Sequence, residues 1–183
     1  MVNRVIALIL LIIFSPVFLL IVILIYWENG FPILFTQKRV GLNYTFFQIY
    51  KFRTMKIATP NVATHLLDNP NFYLLKTGKI LRKLSLDELP NLINIVMGDM
   101  VFIGPRPALY NQDDLMALRI AAGVYKLKPG ITGWAQVNGR DSISLDKKVE
   151  YEKEYLDRKS FWFDLKIILL TLTKVFFSKG VTH

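Results

Sequence analysis

Residues 5–27 read VIALILLIIFSPVFLLIVILIYW, a run of 23 residues without a charged side chain. A helix needs about 20 apolar residues to cross the hydrocarbon core of a bilayer, so this run predicts a membrane element. Its length, and the lack of a small-residue cleavage site at Tyr26-Trp27-Glu28, argue against a cleaved signal peptide. Tyr26 and Trp27 are instead typical of residues that anchor a helix at the membrane interface.

Ser15-Pro16 interrupts this run near its middle. Proline has no backbone N–H and its ring clashes with the preceding helical turn, so Pro16 predicts a kink or a break. Two arrangements follow. The helix crosses the bilayer with a kink, or it turns at Pro16 and leaves through the leaflet that it entered, with Arg4 and Lys38-Arg39 on the same side. The residues alone slightly favour the kinked span.

The composition of the chain narrows its chemistry. Its 183 residues have room for one domain and a membrane element. There is no cysteine and there are only two histidines, His65 and His183, so zinc centres, thiolate nucleophiles and disulfides lack their ligands. A cytoplasmic working face is the natural interpretation. The net charge of +9 suits an anionic membrane or phosphorylated substrates, and since no zinc-finger, RNP or basic-zipper pattern accompanies it, we expect no nucleic-acid partner.

The polar part of the chain opens with a predicted β-hairpin. Its strands are expected at residues 33–39 and 44–52, because aromatic residues alternate with polar ones on either side of Gly41-Leu42-Asn43. Residues 56–71 are rich in Pro, Asn and Asp and predict a loop or a short, interrupted helix.

Helical patterns dominate the rest of the chain. They cover residues 77–84, 88–97, 108–124 and 145–157. Two turn-rich stretches, 128–134 and 138–140, contain three glycines. Residues 161–177 place Asp164, Lys166 and Lys174 among bulky apolar side chains, a composition typical of a helix that lies in the membrane interface. The sequence therefore predicts a mostly helical α/β fold with one small hairpin.

The acidic pair in Leu86-Asp87-Glu88-Leu89-Pro90 has two interpretations. Pro90 confines a helix start to the vicinity of Leu86 or Asp87, where negative charge is favoured by the free amide groups and the macrodipole. Asp87 is then a helix cap, and Ser85 with Glu88 resembles a capping box. Alternatively, a carboxylate among cations attacks phosphorus or holds a hard metal ion. Read alone, the pair favours the cap.

The cations near the acidic pair are equally ambiguous when each is taken alone. Arg106 lies between two prolines in Gly104-Pro105-Arg106-Pro107, which reduces the entropy lost when its guanidinium binds an anion. Lys51 and Arg53 flank Phe52 at the end of the second predicted strand. A solvated turn and a solvated strand edge explain these cations as simply.

Several motifs in a fixed order change this balance. They are FTQKRVG (35–41), KFRTM (51–55), LRKLSLDELP (81–90), GDM (98–100), GPRP (104–107) and PGITGWAQVNGR (129–140). The series covers nearly the whole chain and resembles the bacterial sugar transferases, the monotopic phosphoglycosyl transferases. The short chain is similar to the minimal members of that family, including those of bacterial protein N-glycosylation.

The resemblance implies transfer of a sugar 1-phosphate from a UDP-sugar to undecaprenyl phosphate, with release of UMP. Asp87 matches the family nucleophile, which forms a covalent phosphosugar intermediate, and Glu88 matches the second acidic position. Magnesium is the implied metal, held by Asp87 and Glu88. Lys51, Arg82, Arg106 and Asp164 match polar positions of the family active site, so the resemblance implies that they bind substrate.

The resemblance also reverses the preference for a kinked span. In this family the first helix breaks at a Ser-Pro pair and re-enters the same leaflet, and Ser15-Pro16 matches that pair. The implied organisation is a re-entrant anchor at 1–30 and a catalytic domain at 31–183, on the cytoplasmic face of a bacterial inner membrane. Membrane phospholipid and downstream glycosyltransferases are the further partners implied.

Some positions depart from the family pattern. Asn91 stands where Gln is usual, Val101 where Ser is common, Leu145 where an aromatic residue is common and Glu152 where Asp is common. No role is carried over to them. Two functions of another kind remain as alternatives: a basic membrane-bound scaffold in which Asp87 only caps a helix, and a hydrolase that releases sugar phosphate to water.

Overall fold

A computed structural model describes residues 1–59, 69–139 and 142–177 of the chain. Most of the predicted loop at 56–71 therefore lies outside the described residues, as do His65, Arg140 and His183. The helices are α1 (Val2–Ile13), α2 (Ser15–Asn29), α3 (Pro70–Tyr73), α4 (Lys76–Lys83), α5 (Asn91–Met97), α6 (Asp113–Ala121), α7 (Trp134–Val137), α8 (Leu145–Arg158) and α9 (Phe161–Phe177). The strands are β1 (Leu34–Val40), β2 (Phe46–Phe52), β3 (Val101–Ile103) and β4 (Gly130–Thr132). The mostly helical fold predicted from the sequence is confirmed.

The first two helices are separated by the predicted break. Their axes are bent by 62°. Because Pro16 has no N–H to donate to the carbonyl of Ile12, that acceptor would be left without its helical partner. The hydroxyl of Ser15 donates to it instead, at 2.7 Å. Within the described parts of the chain no single helix is long and apolar enough to cross a bilayer, although α1 and α2 together have the length and composition to do so.

Strands β1 and β2 form the predicted antiparallel hairpin. Their register pairs Leu34 with Phe52 and Val40 with Phe46. The second strand begins two residues later than the sequence predicts. Asn43 and Tyr44 have positive φ angles of 49° and 64° and form a 3-10 turn, which an extended strand cannot include.

A second sheet was missed by the sequence analysis. Strands β3 and β4 pair in parallel, Val101 with Gly130 and Ile103 with Thr132. Each has three residues, too few for a period-2 pattern to show. A Cβ at Gly130 would lie 2.1 Å from the backbone nitrogen of Gly104, so glycine is required where the two chains approach. The glycine-rich stretch therefore begins as a strand beside the Gly104–Pro107 turn.

Two predicted helices are shorter in the structure. The helix expected at 88–97 is divided into a 3-10 turn at Leu86–Glu88 and α5, with Pro90 as the N-cap of α5. The helix expected at 108–124 narrows to α6. Its start is delayed because the side chain of Gln112 accepts a hydrogen bond from the amide of Leu109, which forms a turn.

Helix α5 connects the N-terminal helices to the hairpin. Asn94 is fully buried on it, donating through Nδ2 to the carbonyl of Gln48 and accepting through Oδ1 from the amide of Tyr50. The apolar cluster beneath this bond contains Ala7 of α1, Ile49 of β2, and Leu92, Ile95 and Met100. A second cluster joins α2 to the hairpin and α4 through Ile25, Phe52 and Leu81. The β2 and α5 segments are thus held side by side.

Helix α9 has the bounds predicted for the interfacial helix and buries Phe163 and Ile167 against Tyr155 of α8. Its other side is apolar and exposed: Trp162 is 75% exposed. Exposed aliphatic and aromatic side chains also cover much of α1 and α2, where Trp27 is 80% exposed.

Candidate active site

The backbone around the acidic pair is set by Ser85. This residue ends the α4 segment in the left-handed region, at φ 55°, and a 3-10 turn carries Asp87 and Glu88 onward to Pro90. No side-chain cap is formed at the 3-10 turn or at α5, so the capping-box interpretation of Ser85 and Glu88 is wrong. The two carboxylates are therefore available for other partners.

Glu88 is the centre of an ion-pair cluster. Its Oε1 accepts a hydrogen bond from Nζ of Lys51 at 2.7 Å and lies 3.5 Å from Nη1 of Arg106. The side chains of Glu88, Lys51 and Arg106 are 14%, 16% and 24% exposed, so solvent screens this cluster less than a surface ion pair. The structure thus brings three of the predicted site residues together from β2, the 3-10 turn and the Gly104–Pro107 turn.

Asp87 has an unusual protonation equilibrium. Burial and the negative charge of Glu88 raise the pKa of its carboxyl, Lys51 and Arg82 oppose the shift, and the net pKa is about 6. A carboxylate in such surroundings is poorly solvated when ionised. Poor solvation makes it a better nucleophile than an exposed aspartate and a more basic ligand.

The electrostatics of Lys51 complement those of Asp87. Burial lowers the pKa of the Lys51 ammonium, while the charge of Glu88 and their hydrogen bond raise it. The positive charge of Arg106 lowers it again. Because removal of Glu88 would eliminate the main stabilising partner, the charge state of Lys51 depends on an intact cluster.

Arg82 is positioned on α4 by a residue that the sequence analysis missed. Its Nε donates to Oγ1 of Thr54 at 2.9 Å, and Thr54 is 7% exposed. The α4 backbone approaches so closely here that a Cβ at Gly78 would lie 2.2 Å from the carbonyl oxygen of Thr54. Asp87 favours the charged form of Arg82, while burial lowers the pKa of its guanidinium.

The turn that carries Arg106 is held by two further arginines. Nη1 of Arg39 donates to the carbonyl of Pro107 at 3.0 Å, and Nη2 of Arg119 donates to the carbonyl of Arg106 at 2.9 Å. Arg119 is itself fixed by Glu152, whose Oε2 accepts from its Nε at 2.7 Å. Arg119 and Glu152 are 5% and 2% exposed.

The sequence of α8 contains a signal for the Arg119–Glu152 pair that supports this turn. Its buried residues Val149, Glu152 and Tyr155 recur every third position, on the inward face of the helix. A glutamate on an inward face requires a cationic partner, since an isolated buried charge is strongly unfavourable. Which cation it meets depends on the tertiary structure.

Asp164 belongs to a different hydrogen-bonded pair. Its Oδ1 accepts from the hydroxyl of Tyr155 at 2.8 Å, and that hydroxyl lies 3.3 Å from the carbonyl of Ile103. Burial and the neighbouring carboxylate raise the pKa of Tyr155. Asp164 therefore approaches the end of β3 rather than the Glu88 cluster, and its substrate-binding role stays a prediction. Arg53 lies outside the cluster as well, donating to the carbonyl of Pro32.

A cleft opens beside the ion-pair cluster. Its polar lining consists of Arg39, Lys51, Glu88, Asn91 and Arg106, and its apolar lining includes Ile49, Met100 and Ile131. Asp87 is the chain neighbour of Glu88 but is not itself among the lining residues. Donor-rich cations beside a carboxylate pair provide the charge needed to hold a diphosphate against a carboxylate.

The carboxylates of Asp87 and Glu88 are the candidate ligands for magnesium. No group of three or more acidic or histidine side chains that would enclose a metal ion occurs among the described residues. Mg²⁺ is usually bound by one or two carboxylates together with substrate phosphates and water. The adjacent carboxylates of Asp87 and Glu88 fit a metal shared with a bound diphosphate, but not a metal held by protein alone.

The amino-acid sequence of the chain matches a known class of protein. Residues 1–178 match the bacterial sugar transferase family, and the chain belongs to that family. EpsL, a sugar transferase of Bacillus subtilis, is 43% identical over 167 residues, which are 91% of this chain and 81% of EpsL. The exopolysaccharide production protein ExoY of Rhizobium meliloti is 35% identical, with 93% and 81% covered.

A longer relative carries a more specific name. The UDP-glucose:undecaprenyl-phosphate glucose-1-phosphate transferase of Escherichia coli is 37% identical over 186 residues. That alignment covers 97% of this chain and 40% of the E. coli protein. The resemblance inferred from the sequence motifs is therefore confirmed at the level of the family.

Proposed function

We propose that this protein transfers a sugar 1-phosphate from a UDP-sugar to undecaprenyl phosphate and releases UMP. The observation that carries the proposal is the position of Asp87, partly buried beside the cluster of Glu88, Lys51 and Arg106. The names of the E. coli relative and of an Aeromonas hydrophila relative, a UDP-N-acetylgalactosamine-undecaprenyl-phosphate N-acetylgalactosaminephosphotransferase, support this reaction class.

The proposed reaction has two displacements. An Asp87 carboxylate oxygen attacks the sugar-bearing phosphorus, and the bond from that phosphorus to the bridging oxygen of UMP breaks, so UMP leaves with the electron pair. A phosphate oxygen of undecaprenyl phosphate then attacks the same phosphorus. The acyl phosphate bond breaks, Asp87 is restored as a carboxylate, and the product is a lipid diphosphate sugar.

The cations of the site are assigned to charge neutralisation. Arg106 and Lys51, which contact Glu88, are assigned to the diphosphate oxygens. Arg82, which interacts electrostatically with Asp87, is assigned to the charge at the nucleophile. These donors lower the repulsion between a carboxylate and an anionic phosphate in both displacements. Mg²⁺ bound by Asp87 or Glu88 and the diphosphate would supply further Lewis-acid neutralisation of the departing UMP.

The proposal includes a membrane location on the cytoplasmic face of a bacterial inner membrane. A water-soluble nucleotide sugar and a lipid phosphate meet only at the headgroup plane. The exposed apolar surfaces of α1, α2 and α9 are suited to insertion at that plane, and the 62° bend suits a re-entrant anchor. The names of relatives that produce exopolysaccharide point to glycoconjugate assembly in general. N-glycan assembly remains a prediction from the sequence.

The proposed reaction is tested with purified protein in lipid nanodiscs. UDP-sugars labelled in the β-phosphate are added with Mg²⁺, with and without undecaprenyl phosphate. The expected results are release of UMP, a labelled adduct on Asp87, and transfer of label to lipid when acceptor is present. Release of sugar phosphate without acceptor would instead identify a hydrolase. If no UDP-sugar of a broad panel gives UMP or an adduct, the proposed reaction is refuted and the scaffold alternative is favoured.

A further inference from the structure

Asn91 presents a buried acceptor that no group in the described part of the chain satisfies. It is the first residue of α5, it is 1% exposed, and it lines the cleft next to Glu88. Its side-chain Oδ1 is buried and accepts no hydrogen bond from the residues that the structure describes. Most buried side-chain polar atoms have a partner, because an unpaired one loses its hydration without compensation.

Asn94, three residues further along the same helix, shows what a structural asparagine looks like here. It is equally buried, but its Nδ2 donates to the carbonyl of Gln48 and its Oδ1 accepts from the amide of Tyr50. Asn94 therefore joins α5 to β2. The Asn91 oxygen has no such contact with the residues that the structure describes, although Asn91 is buried to the same degree, so joining α5 to β2 does not explain its polarity.

The surroundings of Asn91 indicate which group it would bind. None of the described donors that line the cleft donates to the Asn91 oxygen: Lys51 and Arg106 contact Glu88, and Nη1 of Arg39 donates to the carbonyl of Pro107. Phosphate oxygens only accept hydrogen bonds when ionised, so a phosphate cannot satisfy the Asn91 oxygen. A hydroxyl group carried near the phosphates is a donor that would satisfy it.

We propose that Asn91 is a substrate-binding residue whose Oδ1 accepts a hydrogen bond from a hydroxyl group of the UDP-sugar. This assignment rests on the proposed function. The hydroxyl belongs either to the transferred sugar or to the ribose, since both are attached to the diphosphate. A site with an acceptor aimed at a substrate hydroxyl discriminates strongly against analogues without it, because the acceptor is then left unpaired.

The test compares three forms of the full-length protein in nanodiscs: wild type, Asn91→Leu and Asn94→Leu. Leucine has the same number of side-chain heavy atoms and the same branching as asparagine but no acceptor. Asn91→Leu is expected to raise KM about five- to tenfold, with little change in kcat and no loss of thermal stability. Asn94→Leu is expected to lower the melting temperature, because it breaks two satisfied hydrogen bonds. Unchanged KM for Asn91→Leu would overturn the proposal and would indicate that a trapped water is the partner. Asn91→Ala provides a second variant if the leucine variant does not fold.

Substrate analogues identify the hydroxyl. UDP-sugars with single deoxyfluoro substitutions in the hexose, and one with 2′-deoxyuridine, each remove one donor. Wild type should lose about five- to tenfold in kcat/KM for one analogue, and Asn91→Leu should show no such loss for that same analogue. A loss on the hexose series assigns the transferred sugar, and a loss on the deoxyuridine compound assigns the ribose. Equal losses in both proteins for every analogue would contradict the assignment.

Equilibrium binding separates this inference from the proposed function. Affinity for the intact UDP-sugar is measured by calorimetry, which needs no turnover. If wild type releases no UMP but binds UDP-sugar more tightly than Asn91→Leu does, the transfer reaction fails and the binding residue stands. If wild type turns over and both proteins bind UDP-sugar equally, only the inference about Asn91 fails.

Discussion

Nζ of Lys51 lies 2.7 Å from Oε1 of Glu88, although 37 positions separate the two residues in the chain. The pair joins the last part of β2 to the turn that carries Asp87. Because Asn94 bonds the backbone of the same strand, α5 and β2 cannot shift without breaking both contacts. The geometry of the candidate active site is therefore tied to the packing of the hairpin.

Replacement of the proposed nucleophile should separate chemistry from folding. Asp87→Asn is expected to lower turnover on the order of 10⁴-fold or more and to abolish the covalent adduct. Thermal stability at neutral pH should be slightly higher, because the variant removes a poorly solvated carboxylate beside Glu88. UMP release, adduct labelling and a melting curve are the measurements. Wild-type turnover in this variant would refute the nucleophile assignment.

The pH dependence follows from the raised pKa of Asp87. The pKa in the folded protein is about 6, against an ordinary value of 3.8 for an aspartate, so the folded protein holds this proton more tightly than the unfolded chain does. The contribution of Asp87 to stability is present below about pH 3.8 and is lost as the pH rises through about 6. Attack requires the ionised form, so kcat/KM should rise with pH through about 6.

This pH dependence is checked by measuring UMP release between pH 4.5 and 8, the range being set by that pKa of about 6. Equal unfolding curves for wild type and Asp87→Asn across the same range would contradict the stability argument. An activity limb near pH 4, the range of an unperturbed carboxyl, would show that Asp87 is not buried as described.

Removal of the Lys51 cation that pairs with Glu88 should lower the stability of the protein. Lys51→Met leaves the partly buried carboxylate of Glu88 with Arg106 at 3.5 Å, and we expect a loss of about 1–3 kcal/mol in the free energy of unfolding together with reduced turnover. The double variant with Glu88→Gln measures the coupling between the two residues.

An exposed ion pair provides the control for Lys51→Met. Lys147 and Glu150 form an ion pair at 2.8 Å, with side chains 45% and 66% exposed. Lys147→Met should change the free energy of unfolding much less than Lys51→Met does. Urea unfolding measures both variants. Equal effects would show that burial adds nothing to the Lys51–Glu88 pair.

Glu152 and Arg119 hold the turn that carries Arg106, so a change at Glu152 should affect the candidate active site from a distance. Glu152→Gln leaves Arg119 buried without a carboxylate, and we expect a loss of about 3–5 kcal/mol in unfolding free energy. Because Arg119 also donates to the carbonyl of Arg106, kcat should fall even where the protein remains folded. Lys153→Ala, which breaks the exposed pair with Asp157 on the same helix, is the matched control. Full turnover in a folded Glu152→Gln protein would show that the Arg119–Glu152 pair does not position Arg106 for the reaction.

The break between α1 and α2 is tested by its effect on the N-terminus. Pro16→Ala restores a backbone N–H that can donate to the carbonyl of Ile12, and it should favour a continuous helix. The chain has no cysteine, so Val2→Cys provides a unique label for accessibility from the cytoplasmic side. Labelling should decrease in the Pro16→Ala background and persist with Ser15→Ala, which retains the proline. Unchanged cytoplasmic labelling with Pro16→Ala would show that Pro16 does not decide the topology.

The predictions that succeeded from sequence depend on local backbone chemistry. Pro16 breaks the first helix because it lacks a donor, and the hairpin follows from alternating side chains between Leu34 and Phe52. Helices α4, α8 and α9 are close to their predicted bounds, since their apolar period extends over two or more turns. The motif order was sufficient to identify the family, and the three-residue strands β3 and β4 were too short to be recognised.

The partners of each charge depended on the tertiary structure. Local sequence favoured a cap for the acidic pair, and only the tertiary structure showed that Glu88 instead contacts Lys51 and Arg106. The unpaired oxygen of Asn91 is likewise visible only once its neighbours are known. Chain-local patterns specify where helices and strands begin and end. The contacts between distant residues, which set the solvation and charge of a site, arise only when those elements pack.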